Sequence, residues 1–176
     1  MHLARSLLIA ALAATSLAAV GTAQAQSPSS NASNHIGGAR VDVHADLGGY
    51  GSFGAGFRVD VPLLREGFIQ NTDDELALSV GLDGYFVNFY RDYYDGGPYL
   101  IPSIVAQWNF YIGDEWSVFP EAGLSLWVGD SKYLRRGTGF YAAPNIGIGA
   151  RYHFSQRNAL LARISSPTGF QLGLTF

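Results

Sequence analysis

Arg40-Val41-Asp42-Val43-His44-Ala45-Asp46-Leu47 places a charged or titratable side chain at every even position and an apolar one at every odd position. Successive side chains of a strand point to opposite faces, so a period of two marks a strand whose faces meet different surroundings. The alternation continues outward from this stretch. After the Gly-rich turn from Gly48 to Ser52, the residues Gly54, Gly56, Arg58 and Asp60 interleave with Ala55, Phe57, Val59 and Val61. Leu76, Leu78, Val80 and Leu82 then alternate with Ala77, Ser79, Gly81 and Asp83. Between 100 and 112, Ile104, Ala106, Trp108, Phe110 and Ile112 oppose Ser103, Gln107, Asn109 and Tyr111. Between 116 and 128, Trp116, Val118, Ala122, Leu124, Leu126 and Val128 oppose Ser117, Glu121, Gly123 and Ser125. Ile146, Ile148, Ala150, Tyr152 and Phe154 oppose Asn145, Gly147, Gly149, Arg151 and His153. Two further segments, 160–165 and 170–176, bring the total to eight strands.

Alternation alone also fits a soluble sandwich with its apolar faces inward. Three features point instead to an all-β, eight-stranded antiparallel up-and-down transmembrane β-barrel. The minor face is rich in Gly, Ser and Ala with sparse charges of both signs, which suits a narrow lumen better than a solvated surface. Aromatic residues gather near strand ends, as in Phe53, Phe57, Tyr85, Phe86, Tyr99, Phe110, Tyr111, Trp116, Tyr152 and Phe154, the pattern of membrane-interface girdles. Tight connections at 113–115 and 155–158 alternate with long ones at 87–98 and 129–138.

Composition narrows the function classes. The chain has 176 residues, enough for one domain, with 48% hydrophobic and 14% charged residues. It has no Cys, so disulfides, thiolate nucleophiles and Cys-ligated metals are excluded. A net charge of −3 and a single lysine, Lys132, leave no basic surface for nucleic acid. Residues 1–25 carry Arg5, an apolar run from Leu7 to Ala19 and the small-residue site Ala23-Gln24-Ala25, the pattern of a cleaved secretory signal peptide. The apolar run is shorter than the ~20 residues of a spanning helix. The Ser/Asn-rich segment 26–38 reads as a disordered leader and 39–176 as the barrel domain.

The C-terminal stretch Phe170-Gln171-Leu172-Gly173-Leu174-Thr175-Phe176 resembles the terminal strand signal of the small eight-stranded outer-membrane β-barrels of Gram-negative bacteria, the OmpA and OmpX type. The resemblance covers 39–176 as architecture and carries no activity with it. It implies an outer-membrane location and an assembly signal at Phe170, Leu172, Leu174 and Phe176 read by the outer-membrane assembly machinery. It also implies contact with membrane lipid and lipopolysaccharide, a monomer, and no cofactor. With the C-terminus in the periplasm, Ser166 to Gly169 lies outside and Pro62 to Asp74 inside. That long link departs from the short periplasmic turns of such barrels, and Leu63, Leu64, Phe68 and Ile69 suggest a plug or flap under the barrel. Pro102, Pro120 and Pro144 also depart from the pattern. Each removes a ladder donor inside a strand, so either these are bulges that break the strand locally or the strand boundaries shift by a few residues.

Four constellations could carry chemistry. His153-Phe154-Ser155 has an H-x-S spacing that resembles the lipid A 3-O-deacylases, where a His activates a Ser toward an ester. Here Gln156 replaces the Asn that usually follows, and no acidic residue lies downstream of Asp130 to orient the His. The simpler reading is a girdle histidine followed by a turn serine. Asp42, His44, Asp46, Arg58, Asp60, Asp83, Glu121, Arg151 and Arg163 share the minor face. His with carboxylates can ligate a divalent ion, but an eight-stranded barrel is just wide enough to be filled by side chains, so a structural salt-bridge network without metal is expected. The tyrosine-rich stretch Tyr85 to Tyr99 suits either ligand contact or an extended outer girdle. Lys132, Arg135 and Arg136 suit lipopolysaccharide phosphates or plain solvation. Gly147-Ile148-Gly149 is no phosphate loop, since no Lys-Ser/Thr follows. The expectation is an outer-membrane barrel with a filled lumen and a structural or surface-interaction role, not an enzyme. The alternatives are a lipid-modifying hydrolase using His153 and Ser155, or a soluble periplasmic barrel with apolar faces inward around a ligand.

Overall fold

The structure, a computed structural model, describes residues 38–48, 52–65, 68–69, 72–88, 98–129 and 140–176. The segments read as signal peptide and leader, up to residue 37, most of the tyrosine-rich stretch and the loop bearing Lys132, Arg135 and Arg136 lie outside these residues.

Eight antiparallel strands run β1 (Arg40–Leu47), β2 (Ser52–Leu64), β3 (Asp74–Asn88), β4 (Tyr99–Ile112), β5 (Trp116–Gly129), β6 (Phe140–His153), β7 (Ala159–Ser166) and β8 (Gly169–Thr175). Each pairs with its sequence neighbour, and β1 closes the barrel against β8, with Ala45 opposite Leu172. Closure removes the free edges that would leave backbone groups unpaired in lipid. The two ends are chemically distinct. Val41 and Phe176 exchange backbone hydrogen bonds at one, here called the terminal end. The opposite, loop end carries the β1–β2, β3–β4, β5–β6 and β7–β8 connections.

The period-two pattern becomes two faces. In β1 the charged residues point inward and are buried, while Val41, Val43, Ala45 and Leu47 are exposed on the outer wall. Leu124, Ile146, Ile148, Ile164 and Leu172 continue an apolar outer band, and Leu172 is 56% exposed. This polarity is the reverse of a soluble ligand-binding barrel, whose apolar faces would line the interior. The outer band also presents Phe170, Leu172, Leu174 and Phe176 of the C-terminal stretch.

The three prolines leave the strands whole. Pro102 and Pro120 face outward, and the β4–β5 register stays in step on either side of both, skipping only the rungs around them. Pro144 stands opposite Leu124, beyond the last β6–β7 pair at Ile146 and Ser166. Rungs are lost locally while the face of every neighbouring residue is kept. The true irregularities lie in the β2–β3 ladder, between Phe53 and Gly54 and between Pro62 and Leu64. Each shifts the register, as a β-bulge does.

Two expectations are corrected. Tyr85, Tyr99 and Tyr111 do not belong to the girdles: they share the parity of Asp83, Ser103 and Asn109 and point into the lumen. The 62–74 link is no plug under the barrel in its described part. Residues 62–64 extend β2, and Phe68 lies edge-on against Trp108 of the outer wall at 5.9 Å. Asp74 ties this arrangement by accepting from Trp108 Nε1 at 2.6 Å and from the Phe68 amide at 3.0 Å. Polar indole and amide groups near the barrel rim thus find a partner that the apolar outer wall does not offer. At the same end, the turn from Gly113 to Glu115 needs Gly113 because φ is +65° there.

Candidate functional site

The lumen is filled by large polar side chains, and small residues opposite make room for them. A Cβ on Gly149 would fall 2.3 Å from Cζ of Phe119, and one on Gly81 2.3 Å from Cγ of Arg58. Phe119, fully buried, lies under two cations: the guanidinium carbon of Arg151 is 4.4 Å from its ring centre and that of Arg163 5.5 Å. Such desolvated cation–π contacts help offset the cost of taking guanidinium groups out of water.

All nine lumen residues expected from the sequence are buried and joined in one network. Arg151, on β6, is its hub. Its Nη2 donates to Asp60 at 2.6 Å, to Asp42 at 3.2 Å and to Gln107 at 3.2 Å. Its Nη1 donates to Asn109 at 2.9 Å, and its Nε to Thr175 at 3.3 Å. Arg163, on β7, donates to Asp42 at 2.9 Å and to Gln171 at 3.1 Å, and its Nε lies 3.3 Å from Glu121. Arg58 donates to Glu121 at 3.2 Å, and Gln107 donates to the same carboxylate at 3.3 Å. Strands β1, β2, β4, β5, β6, β7 and β8 are thereby tied together across the interior. Charges removed from water persist only when paired in this way.

Sequence reasoning left several members out. Arg40 pairs with Glu75 and donates to Tyr111 at 2.9 Å, closing the terminal end. Gln107, Asn109, Gln171 and Thr175 supply the uncharged donors and acceptors between the ions. All but Glu75 stood on the minor face of the alternation. What the alternation does not show is which residues on different strands meet, because that depends on the stagger of the closed sheet.

At the loop end the network gives way to aromatic side chains. Tyr85 and Tyr99 stack at 4.8 Å and Tyr99 and Trp127 at 5.0 Å. The Tyr85 hydroxyl donates to the carbonyl of Thr168, and the Tyr99 hydroxyl lies 2.9 Å from Ser52 Oγ. Below this stack, His44 Nε2 is 2.7 Å from Asp83 Oδ1 and 3.5 Å from Asp46 Oδ1, and Gln171 Nε2 donates to both carboxylates at 2.9 Å. These three titratable side chains could hold a metal ion, since their ligand atoms lie within 4.8 Å of one another.

The two polar side chains of the H-x-S pair have different hydrogen-bond partners. His153 Nε2 lies 2.9 Å from Oγ of Ser117, a buried residue on the neighbouring strand. Ser155 Oγ instead accepts from the amides of Arg157 at 3.3 Å and Asn158 at 3.0 Å, holding the β6–β7 turn. Both flank a cleft of about 220 Å³ at the terminal end, lined also by Asp114, Phe154 and Gln156. The pairing a serine nucleophile requires, hydroxyl to imidazole, is made by Ser117 and not by Ser155.

No protein-family model matches the sequence, and no curated protein does. Solved structures do. A de novo designed transmembrane β-barrel superposes with a TM-score of 0.51 at 12% identity, over 87% of this chain and 98% of the design. The outer membrane enzyme PagL gives 0.50 at 16% identity, over 77% of this chain and 95% of its own. The outer membrane protein Ail of Yersinia pestis, in a phospholipid bilayer nanodisc, gives 0.47 at 12% identity, over 80% and 98%. At such identities the likeness to the designed barrel and to PagL is one of fold. Closed pairing of β1 with β8, an apolar outer wall and a polar interior agree with it: the chain has the fold of the small eight-stranded outer-membrane β-barrels.

Proposed function

We propose that this chain is an integral outer-membrane protein whose lumen is sealed and whose role is structural or a matter of contact at the cell surface. The observation that carries the reading is the lumen itself. Arg40, Arg58, Arg151 and Arg163 each reach a carboxylate across the interior, and the Tyr85–Tyr99–Trp127 stack lies over the loop end. A barrel filled in this way has no continuous water path for solute, so its contacts are made by its outer wall and its loops. In the membrane, the terminal end faces the periplasm and the apolar band meets lipid. The exposed alternation of Phe170, Leu172, Leu174 and Phe176 acts as the assembly signal.

Two measurements on outer-membrane fractions test the reading. An unboiled sample that migrates faster than a boiled one on a denaturing gel is expected of a closed barrel resistant to detergent. Reconstituted liposomes are expected not to swell in small sugars. A water-soluble protein without a gel shift refutes the membrane location, and swelling refutes the sealed lumen.

A further inference from the structure

We propose that His44, Asp46 and Asp83 form a binding site for one divalent transition-metal ion of the zinc class, enclosed inside the loop end of the barrel. Among the described residues the lumen holds six buried carboxylates, Asp42, Asp46, Asp60, Glu75, Asp83 and Glu121, against the four guanidinium groups. Each arginine has a close carboxylate partner: Arg40 with Glu75, Arg151 with Asp60 at 2.6 Å, Arg163 with Asp42 at 2.9 Å, and Arg58 with Glu121 at 3.2 Å. Asp46 and Asp83 are left over. Asp83 reaches a guanidinium only through a long 3.8 Å contact to Arg58, and its close partner is His44 at 2.7 Å, which is also the sole ion-pair partner of Asp46. Both are essentially inaccessible to water, and two buried carboxylates side by side repel each other strongly unless a cation lies between them.

The donor geometry suits a metal. His44 Nε2 lies 2.7 Å and 3.5 Å from the nearer oxygens of Asp83 and Asp46. Two ligands of a tetrahedral ion at metal–ligand distances of 2.0–2.1 Å stand about 3.3 Å apart, so small side-chain movements accommodate one. One imidazole with two carboxylates is a nitrogen and oxygen set for zinc, cobalt or manganese, whereas calcium needs six or more oxygens. A second, independent observation points the same way. Asp46 Oδ2 and Asp83 Oδ2 are buried with no hydrogen-bond partner. One carboxylate bound through both oxygens and the other through one complete four donors with His44 Nε2, whose proton the ion replaces.

The surroundings are built for it. Gln171 accepts from Arg163 through its carbonyl oxygen, which fixes its amide nitrogen toward both carboxylates, the outer-shell support that orients metal-bound oxygens. Gly56 leaves the space, since a Cβ there would fall 2.5 Å from Asp83 Oδ1 and 2.7 Å from His44 Nε2.

Because the site is enclosed, the full-length chain is refolded into detergent micelles in the presence of Zn²⁺ or Co²⁺ and then passed through a chelating column. The metal content of the folded, heat-modifiable fraction is measured. One equivalent per barrel is expected, with intense visible bands from four-coordinate cobalt. Asp46→Asn, which changes charge but not volume, and His44→Gln are each expected to lower retained metal at least tenfold while keeping the gel shift. Retention far below one equivalent by the native chain overturns the proposal. So does equal retention by either folded variant, or a cobalt spectrum typical of six-coordinate surface carboxylates.

Discussion

Arg151→Met tests whether the lumen network is an ordered set of specific pairs or only a polar filling. The substitution keeps most of the volume and removes the charge from a fully buried position that contacts Asp60, Asp42, Gln107, Asn109 and Thr175. The consequences for the two carboxylates differ. Asp42 retains Arg163 at 2.9 Å and the Thr175 hydroxyl at 2.5 Å. Asp60 retains only the Nε of Arg40 at 4.0 Å, and its other oxygen already lacks a hydrogen-bond partner. Removing one member of a buried pair and stranding the other costs ~3–5 kcal/mol. Neutralising the stranded partner removes the larger share of that cost. Adding Asp60→Asn to Arg151→Met is expected to recover about 2 kcal/mol, the remainder being the Gln107 and Asn109 carbonyl oxygens left without a donor. Adding Asp42→Asn instead is expected to recover nothing. Urea unfolding of micelle-refolded protein, followed by tryptophan fluorescence, gives these differences as midpoint shifts. Refutation would be a loss below ~1 kcal/mol for Arg151→Met, or equal recovery by the two second-site changes. Either result would mean that water enters the lumen and screens its charges.

Gly149→Ala places a methyl group against the Phe119 ring and is expected to cost ~1–3 kcal/mol by overpacking. Phe119→Leu in the same chain should relieve that strain, which the same unfolding assay reads. Leu172→Arg, at the middle of β8 on the outer wall, is expected to cost ~2–4 kcal/mol in a bilayer. At Trp116, near the terminal end, the same change should cost ~0–1 kcal/mol; equal costs would mean that these faces do not sit at different membrane depths. Ser155→Ala loses the turn contacts to Arg157 and Asn158 and is expected to leave the lipids of the host envelope unaltered by mass spectrometry. A change in acylation that depends on Ser155 would restore the hydrolase reading.

Arg40 to Leu47 alone shows how far the sequence reaches. Period-two chemistry is local, because neighbouring side chains of a strand must point to opposite sides. The assignment of Asp42, His44 and Asp46 to one face was therefore legible before any strand was paired. The same local rule placed Pro102, Pro120 and Pro144 on the apolar face. It also placed Arg151 and Arg163 on the minor face, together with most of their uncharged partners. The likeness of the aromatic residues to girdles misled for Tyr85, Tyr99 and Tyr111, because their nearness to strand ends was weighed above their parity. The division of His153 from Ser155 was invisible as well. A spacing of two in a strand suggests a shared face, but the chain turns after His153, and Ser155 serves the turn while His153 meets Ser117 on β5. The pairing of Arg151 with Asp60, 91 positions away, and of Gln171 with Asp46, 125 positions away, was set by closure and stagger. Those quantities belong to the sheet as a whole and not to any one segment. Which side chains face inward is thus legible residue by residue, since it is a property of the pleat. Which of them meet depends on how the sheet closes, and closure leaves two carboxylates and a histidine together at the loop end with only the long 3.8 Å contact of Asp83 to Arg58.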